Sequence, residues 1–344
     1  MKRLLILLLC LTLLSGCGAT TVVLPAPDDS PAEETPSTQP DPHSTPVKLG
    51  LAVLAHVSDS MNATADSHGY ARTDVTLVAL TIDDTGVIRS CRIDGISAAI
   101  PFDASGALQI DADTTFPTKN ELGLDYGMHK ASPMGKEWDQ QASAFAAYAV
   151  GKRVAELSPG DVSSSVTIST DDFLRAIRTA ADSAEYLGSN SDDALTLVAL
   201  SHMDGSESAE VDTGESGQAQ FSTSVAAVTF QGDTITGCCL DELQTALTIA
   251  PDGTITDDVT AAQRSKNALG EDYGMRKASS IGREWYQQAD AFARYAVGKT
   301  ARNLSALITD EDGYLLSGDV TSSVTIAVDT FQALLVKAAG RIGV

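Results

Sequence analysis

Two stretches of this chain gather side chains able to hold or receive a chemical group, and each occurs twice. Asp161-Val162-Ser163-Ser164-Ser165-Val166-Thr167 recurs as Asp319-Val320-Thr321-Ser322-Ser323-Val324-Thr325, a run of hydroxyls closed by a threonine and opened by an acid. Tyr126, Met128, Lys130, Ser132, Glu137, Trp138 and Gln141 recur as Tyr273, Met275, Lys277, Ser279, Glu284, Trp285 and Gln288. The second set has two readings. It is either a capped amphipathic helix whose Trp anchors a core, or a pocket wall where the flat, polar-tipped rings of Tyr and Trp grip a planar ligand. Conventional catalytic signatures are absent: the chain has no GxSxG, Walker A loop, HExxH or GxGxxG. The acid pairs Asp83-Asp84 and Asp171-Asp172 stand at a turn and a helix start, where carboxylates serve the backbone rather than paired acid/base work.

Charge narrows the field. The 344 residues carry 23 Lys plus Arg against 46 Asp plus Glu, a formal charge of −23. Phosphate backbones need concentrated positive charge, so nucleic acid is excluded as a partner. Aromatic residues are 5%, which leaves few rings for stacking. No CxxC occurs and the five His are scattered, so no metal site is expected. Of the five Cys, Cys91 and Cys238 are equivalent in the repeat and read as small buried apolar side chains, with a vicinal Cys238-Cys239 disulfide as a rare alternative.

The elements that must position these residues fall into four blocks. Residues 1–16 read as a signal peptide: Lys2 and Arg3, then an apolar run from Leu4 to Leu14 too short to span a bilayer comfortably. Leu14-Ser15-Gly16-Cys17 matches a bacterial lipobox, which makes Cys17 the expected lipidation site, and lipid there would anchor the chain to the membrane. Residues 17–48 form a tether. Seven of the twelve prolines lie between Gly18 and Pro46, a composition that cannot bury a core. The remainder is duplicated, as repeat 49–185 and repeat 194–341. From Leu122 to Lys152, 23 of 31 positions match their partners at an offset of 147, and about eleven extra residues near Thr309 to Leu316 lengthen the second copy.

Each copy reads as α+β: a β-sheet, a long amphipathic helix and a C-terminal helix. Strands are expected at Val75–Ile82 and Val225–Phe230, each followed by a turn and the next strand. Further hairpins are expected at Pro101–Ile110 and Leu247–Ile255. The long helices are expected from Pro133 to Val150, with Ser132 as N-cap, and from Ser280 to Val297. Trp138, Ala142, Phe145 and Ala149 fall on one apolar stripe. A strand at Ser165–Ile168 and last helices at Asp171–Ala181 and Asp329–Ala339 complete the pattern.

With this order of elements, the Asp-x-x-Ser-Ser-Val-Thr and Tyr-Gly-Met…Glu-Trp…Gln segments resemble those of FMN-binding domains. Such domains occur in tandem on lipoproteins of Gram-positive bacteria, including pheromone-precursor lipoproteins. The resemblance covers most of residues 49–340 and implies two tandem FMN-binding-like domains. In that family a transferase joins the FMN phosphate to a threonine hydroxyl. By position the acceptors would be Thr167 and Thr325, with Asp161, Asp319, Ser164 and Ser322 matching the rest of the motif. Tyr126, Tyr273, Trp138 and Trp285 would then flank the cofactor. Where the family has Gly-Ala, this chain has the bulkier Ser165-Val166 and Ser323-Val324. The implied function is a membrane-anchored extracellular flavoprotein carrying electrons, with a flavin transferase and redox partners. The alternative is a non-catalytic cell-surface binding or interaction module on a degenerate form of the fold that holds no flavin. Either reading gives a carrier or binding module rather than a turnover enzyme, on the extracellular face of the cell membrane.

Overall fold

The computed structural model describes residues 44–162 and 165–342. The signal and Cys17, most of the tether, and Ser164 lie outside the described residues. Two three-stranded antiparallel sheets and the helices that cover them make a mixed α/β structure. The first sheet holds β1 (Lys48–His56), β2 (Gly69–Ile82) and β3 (Ile88–Phe102) in that order. Next come α1 (Lys119–Leu122), α2 (Trp138–Ala149) and α3 (Asp171–Asp182). The second half repeats the order as β4 (Ala194–His202), β5 (Gly217–Gln231), β6 (Thr234–Ile249), α4 (Lys266–Leu269), α5 (Trp285–Ala296), α6 (Ala301–Ser305) and α7 (Asp329–Ala339). No helix among the described residues is long and apolar enough to cross a membrane.

Side chains alternate across a strand, so each long strand feeds two cores. In β2, Ala71, Val75, Leu77 and Ala79 point one way, while Val78, Leu80 and Ile82 point the other. In β5 the corresponding sets are Ala219, Phe221, Val225 and Ala227 against Ala226, Val228 and Phe230. The first set of each strand meets its counterpart in a single core shared by both sheets. The second sets meet helices: α2 and α3 over the first sheet, α5 and α7 over the second. The order is therefore helix, sheet, sheet, helix, and burial on both faces explains why Val75–Ile82 reads as an almost unbroken apolar run. Edge strands exchange partners between the halves, β1 lying against β6 and β3 against β4.

The duplicated helices start later than the sequence suggests. The expected start at Pro133 with Ser132 as N-cap is replaced by a start at Trp138, with Glu137 as the N-cap and Gln140 completing a capping box. The reason is Gly135, whose φ of +62° breaks a helix, and Gly282 at +64° does the same before α5. Ser132 instead closes a turn, its carbonyl accepting from the Gly135 N–H at 2.9 Å. The expected strand at Ser165–Ile168 is absent. The Ser165 and Val166 amides bond back to the Val162 carbonyl (2.7 and 2.9 Å), and those of Thr167 and Ile168 are taken by a side chain. The hairpins expected at Pro101–Ile110 and Leu247–Ile255 shrink to the ends of β3 and β6 plus one bridge each, Phe102 to Leu108 and Ile249 to Ile255. The last helices run within a residue of expectation.

One glycine fixes how closely α3 approaches the first sheet. A Cβ on Gly50 of β1 would lie 1.9 Å from the Ala180 carbonyl oxygen, so only hydrogen fits. Gly50→Ala is expected to push α3 off β1 and to lower stability by about 1–3 kcal/mol. Urea unfolding of the two proteins with equal m values measures it, and an unchanged midpoint would contradict the tight contact.

Candidate functional site

The residues singled out from the sequence converge in each copy, but as a framework. Gln141 on α2 is fully buried. Its side-chain oxygen accepts from the Thr167 amide (2.7 Å), the Thr167 hydroxyl (3.1 Å) and the Ile168 amide (3.3 Å). Its nitrogen donates to the Lys136 carbonyl (3.3 Å). Gln288 repeats this on the Thr325 amide (2.7 Å) and hydroxyl (3.0 Å). Glu137, also buried, accepts from the Met128 and His129 amides (2.9 and 3.1 Å) and pairs with the His129 ring. Burial raises its pKa, but the bonds from His129 and Met128 prevail and hold the carboxyl below its usual range. Glu284 bonds the Met275 and Arg276 amides in the same way (2.8 and 3.0 Å).

Trp138 and Trp285 are buried, each packed edge-on against a Phe of the last helix, Phe173 at 5.6 Å and Phe331 at 5.9 Å. The faces they share with Tyr126 and Tyr273 are filled from within. The Lys119 ammonium lies 5.4 Å from the Tyr126 ring centre and 5.1 Å from that of Trp138. Lys266 lies 5.1 Å from both Tyr273 and Trp285 and pairs with Glu242 at 2.7 Å. Val166 and Val324 are buried in the outer cores, where small residues would leave room for a cofactor. Asp161 accepts from the Tyr148 hydroxyl at 2.8 Å. Asp319 and Ser322 are exposed. These residues fit a stacked flavin poorly: the acceptor hydroxyls are engaged by glutamines and the ring faces by lysines. Lys119 and Lys266, the filling residues, carried no motif that would have drawn notice.

An open cleft lies elsewhere, where β1 and β6 face each other. A cleft of about 770 Å³ is floored by Leu51, Leu54, Leu187 and Leu240. One wall is α5 and the residue ahead of its N-cap, presenting Tyr286, Asp290 and Arg294 on the helix and Arg283 just before it. The opposite wall is the end of α3, with Thr179 and Ser183. Charges of both signs line it, including Glu185, Asp241 and Arg264. No family model, curated protein or solved structure matches this chain. The site therefore rests on its own geometry, and that geometry contains an internal control. At the other junction, where β4 runs beside α7 and the segment before α1, the corresponding cavity measures only about 390 Å³. Lys337 and Arg341 reach into this region and both pair with Glu121, at 2.6 and 2.7 Å. In the open cleft the equivalent positions hold Thr179, Ser183 and Ala268. The sequence did carry a signal for the site. Of the eight positions that differ between Leu122–Lys152 and Leu269–Lys299, four become Arg283, Tyr286, Asp290 and Arg294, all on the cleft face.

Cys91, Cys238 and Cys239 are all free thiols. Burial pushes Cys91 and Cys239 up to about 12, so neither is a thiolate at neutral pH. The scattered histidines do produce one group of three potential metal ligands among the described residues, His56, Asp59 and Asp74, with atoms within 4.8 Å of one another. Asp74 there already accepts from the Ser97 hydroxyl and faces the Lys119 ammonium at 3.8 Å.

Two buried acids give the framework a pH signature. Burial raises Asp94 and Asp241 to about 6, although each accepts from two backbone amides and a neighbouring hydroxyl. A folded pKa above the unfolded value of 3.8 means that the folded state holds the proton longer, so their contribution is full below 3.8 and is lost as pH rises through 6. Asp241→Asn removes this loss. Between pH 4 and 7 its stability is expected to improve relative to the parent by on the order of 2 kcal/mol. Chemical denaturation at each pH reads it, and a pH-independent difference would refute it.

Removing the glutamine clasp has a local readout. Gln288→Leu leaves the Thr325 amide and hydroxyl without their acceptor and is expected to cost about 1–3 kcal/mol. Hydrogen exchange at the Thr325 amide should accelerate, and unchanged protection there would count against the clasp.

Proposed function

We propose that this chain is a non-catalytic binding module held at the extracellular face of the cell membrane by lipid on Cys17, with the cleft between β1 and β6 as its binding site. The two tandem copies are taken as a degenerate form of the FMN-binding-like fold. The observation that carries the reading is the contrast within the duplication. Residues shared by both copies clasp loops and fill cores, and some of them, such as Asn267 and Gln287, also line the cleft, but its charged and aromatic face at Arg283, Tyr286, Asp290 and Arg294 consists of positions at which the copies differ. The cavity lies within the range of about 300–1,000 Å³ typical of sites that enclose small ligands, with an apolar floor and a few convergent polar groups. The export signal and the proline-rich tether support a location outside the cell. No electron carriage follows, because the threonines and rings that a flavin would use are engaged inside the protein.

Protein co-expressed with a flavin transferase, or mixed with free FMN, is expected to stay colourless, with an unmodified mass and no quenching of flavin fluorescence. A flavin absorbance band in purified protein, or an added FMN mass on Thr167 or Thr325, would overturn the proposal and restore the electron-carrier reading.

A further inference from the structure

The open cleft and its filled counterpart specify a ligand between them. β1 is an edge strand, and every second residue turns its N–H and C=O outward. Leu49 spends both groups on Glu185 (2.8 and 3.1 Å). The Leu51 carbonyl accepts from the Ser183 hydroxyl at 3.3 Å. Val53, next in the same phase, has no partner for either group on that edge among the described residues. At the other junction the residue equivalent to Val53 is Ala199, and its carbonyl accepts from the Lys337 ammonium at 2.6 Å. That ammonium also meets a carboxylate, Glu121, and its side chain lines the smaller cavity beside β4. The protein thus shows on one side what such a strand edge binds: an ammonium on an aliphatic body. On the other side the intramolecular ammonium is replaced by Thr179, and the edge is left open to the cleft.

The rest of the cleft supplies the opposite pole. Arg264 and Arg294 are paired, with Asp272 at 3.1 Å and Asp290 at 2.8 Å. The Arg283 guanidinium has no hydrogen bond or ion pair among the described residues and is exposed at the cleft wall. A guanidinium in that state has its N–H donors free for a carboxylate, and at the cleft wall it faces the opening. Between the two poles lies the leucine floor.

We infer that the cleft takes a short zwitterionic peptide with apolar side chains, its amino terminus on the Val53 carbonyl and its carboxylate on Arg283. This rests on the proposed function, since it names the ligand class of the same cleft. The amino terminus donates where Lys337 donates in the other junction, and the Val53 N–H is left to bond a peptide carbonyl, as an added strand would. The floor accepts the side chains, and the volume limits the ligand to roughly two to four residues.

The test uses trileucine with free ends, N-acetyl-trileucine and trileucine amide in calorimetric titration, alongside the neutral apolar dye Nile red. Trileucine is expected to bind, and blocking either end to weaken it by about tenfold or more. Arg283→Met should weaken trileucine to the level of the amide and leave the amide unchanged. A variant carrying Thr179→Lys, Ser183→Arg and Ala268→Glu imports the plug of the other junction and should abolish both peptide and dye binding. If the triple variant does not fold, the comparison of blocked peptides on Arg283→Met decides alone. Equal binding of free and blocked peptides, or loss of amide binding in Arg283→Met, overturns the inference. Dye binding that the plug removes, without any trileucine binding, defeats the peptide inference while the cleft stands as a site. Dye and peptide binding that the plug leaves intact defeats both.

Discussion

Everything in this structure depends on the burial of one apolar face against another. Each three-stranded sheet carries a helix layer on one side and a bare apolar face on the other. The shared core takes twelve buried residues from the first copy and ten from the second, so neither half could cover its own face. Phe102 and Phe221, the largest of them, are almost entirely sequestered. At about 1.5–3 kcal/mol for each large apolar side chain removed from water, an exposed inner face would cost more than the net stability of an ordinary domain. Duplication answers this: a sheet whose inner face is apolar finds its complement in a second copy of itself. The arrangement needs both copies in one chain or two chains together, and the short connection from Glu185 to Asp193, bonded to Leu49 of β1 and to Val47 just before it, supplies the first.

A pairing of two like sheets creates two like junctions, β1 with β6 and β4 with β3. Each leaves a strand edge that must be satisfied, because unpaired backbone groups away from water are costly. The two junctions solve the problem differently. Around β4 the Phe116 amide bonds the Ser201 carbonyl (2.8 Å), Lys337 bonds the Ala199 carbonyl, and Glu121 draws Lys337 and Arg341 together. Burial raises the Glu121 pKa, but the bonds from Lys337 and Thr118 outweigh it and keep the carboxyl below its ordinary range, so the plug is charged at neutral pH. Around β1 none of the three plug residues is present. Leu49 and the Leu51 carbonyl are met by Glu185 and Ser183, but Val53 is left to water or to a ligand, and volume opens beside it.

The strands were legible because burial on both faces writes long apolar runs, as in Val75–Ile82. The apolar stripe Trp138, Ala142, Phe145, Ala149 also reads directly as a buried helix face, and all four side chains are buried. The helix start was not, because Ser132 and Pro133 form a fair local start signal. It is overridden by Gly135 in a left-handed turn and by Glu137, whose carboxylate serves the 128–129 loop while its backbone caps α2. The segment after Val162 looks like a strand because Ser, Val, Thr and Ile favour one. Yet its amides find the Gln141 side chain, a tertiary partner that no local propensity encodes. That the two copies share one core, and that Lys119 fills the space between Tyr126 and Trp138, are likewise facts of packing between residues far apart in the chain.

Identity between the copies proves a guide to structure and difference a guide to the site. Glu137, Trp138 and Gln141 match Glu284, Trp285 and Gln288 because each performs the same internal task twice: holding a loop, anchoring a core, clasping the segment before the last helix. A residue pair bound by such a task cannot change on one side without loss. Positions free of it include those on the outer face of α2 and α5, where Asp139, Ser143 and Ala147 stand against Tyr286, Asp290 and Arg294, and the pair Lys136 and Arg283 just before the helices. The second of these faces borders the open cleft, whereas the smaller cavity is walled by α7 and β4 and not by α2. Glu137, Trp138, Gln141 and their partners thus hold the scaffold of both copies together. On the proposed function, the chemistry offered to an outside molecule lies largely where the two halves have ceased to resemble each other.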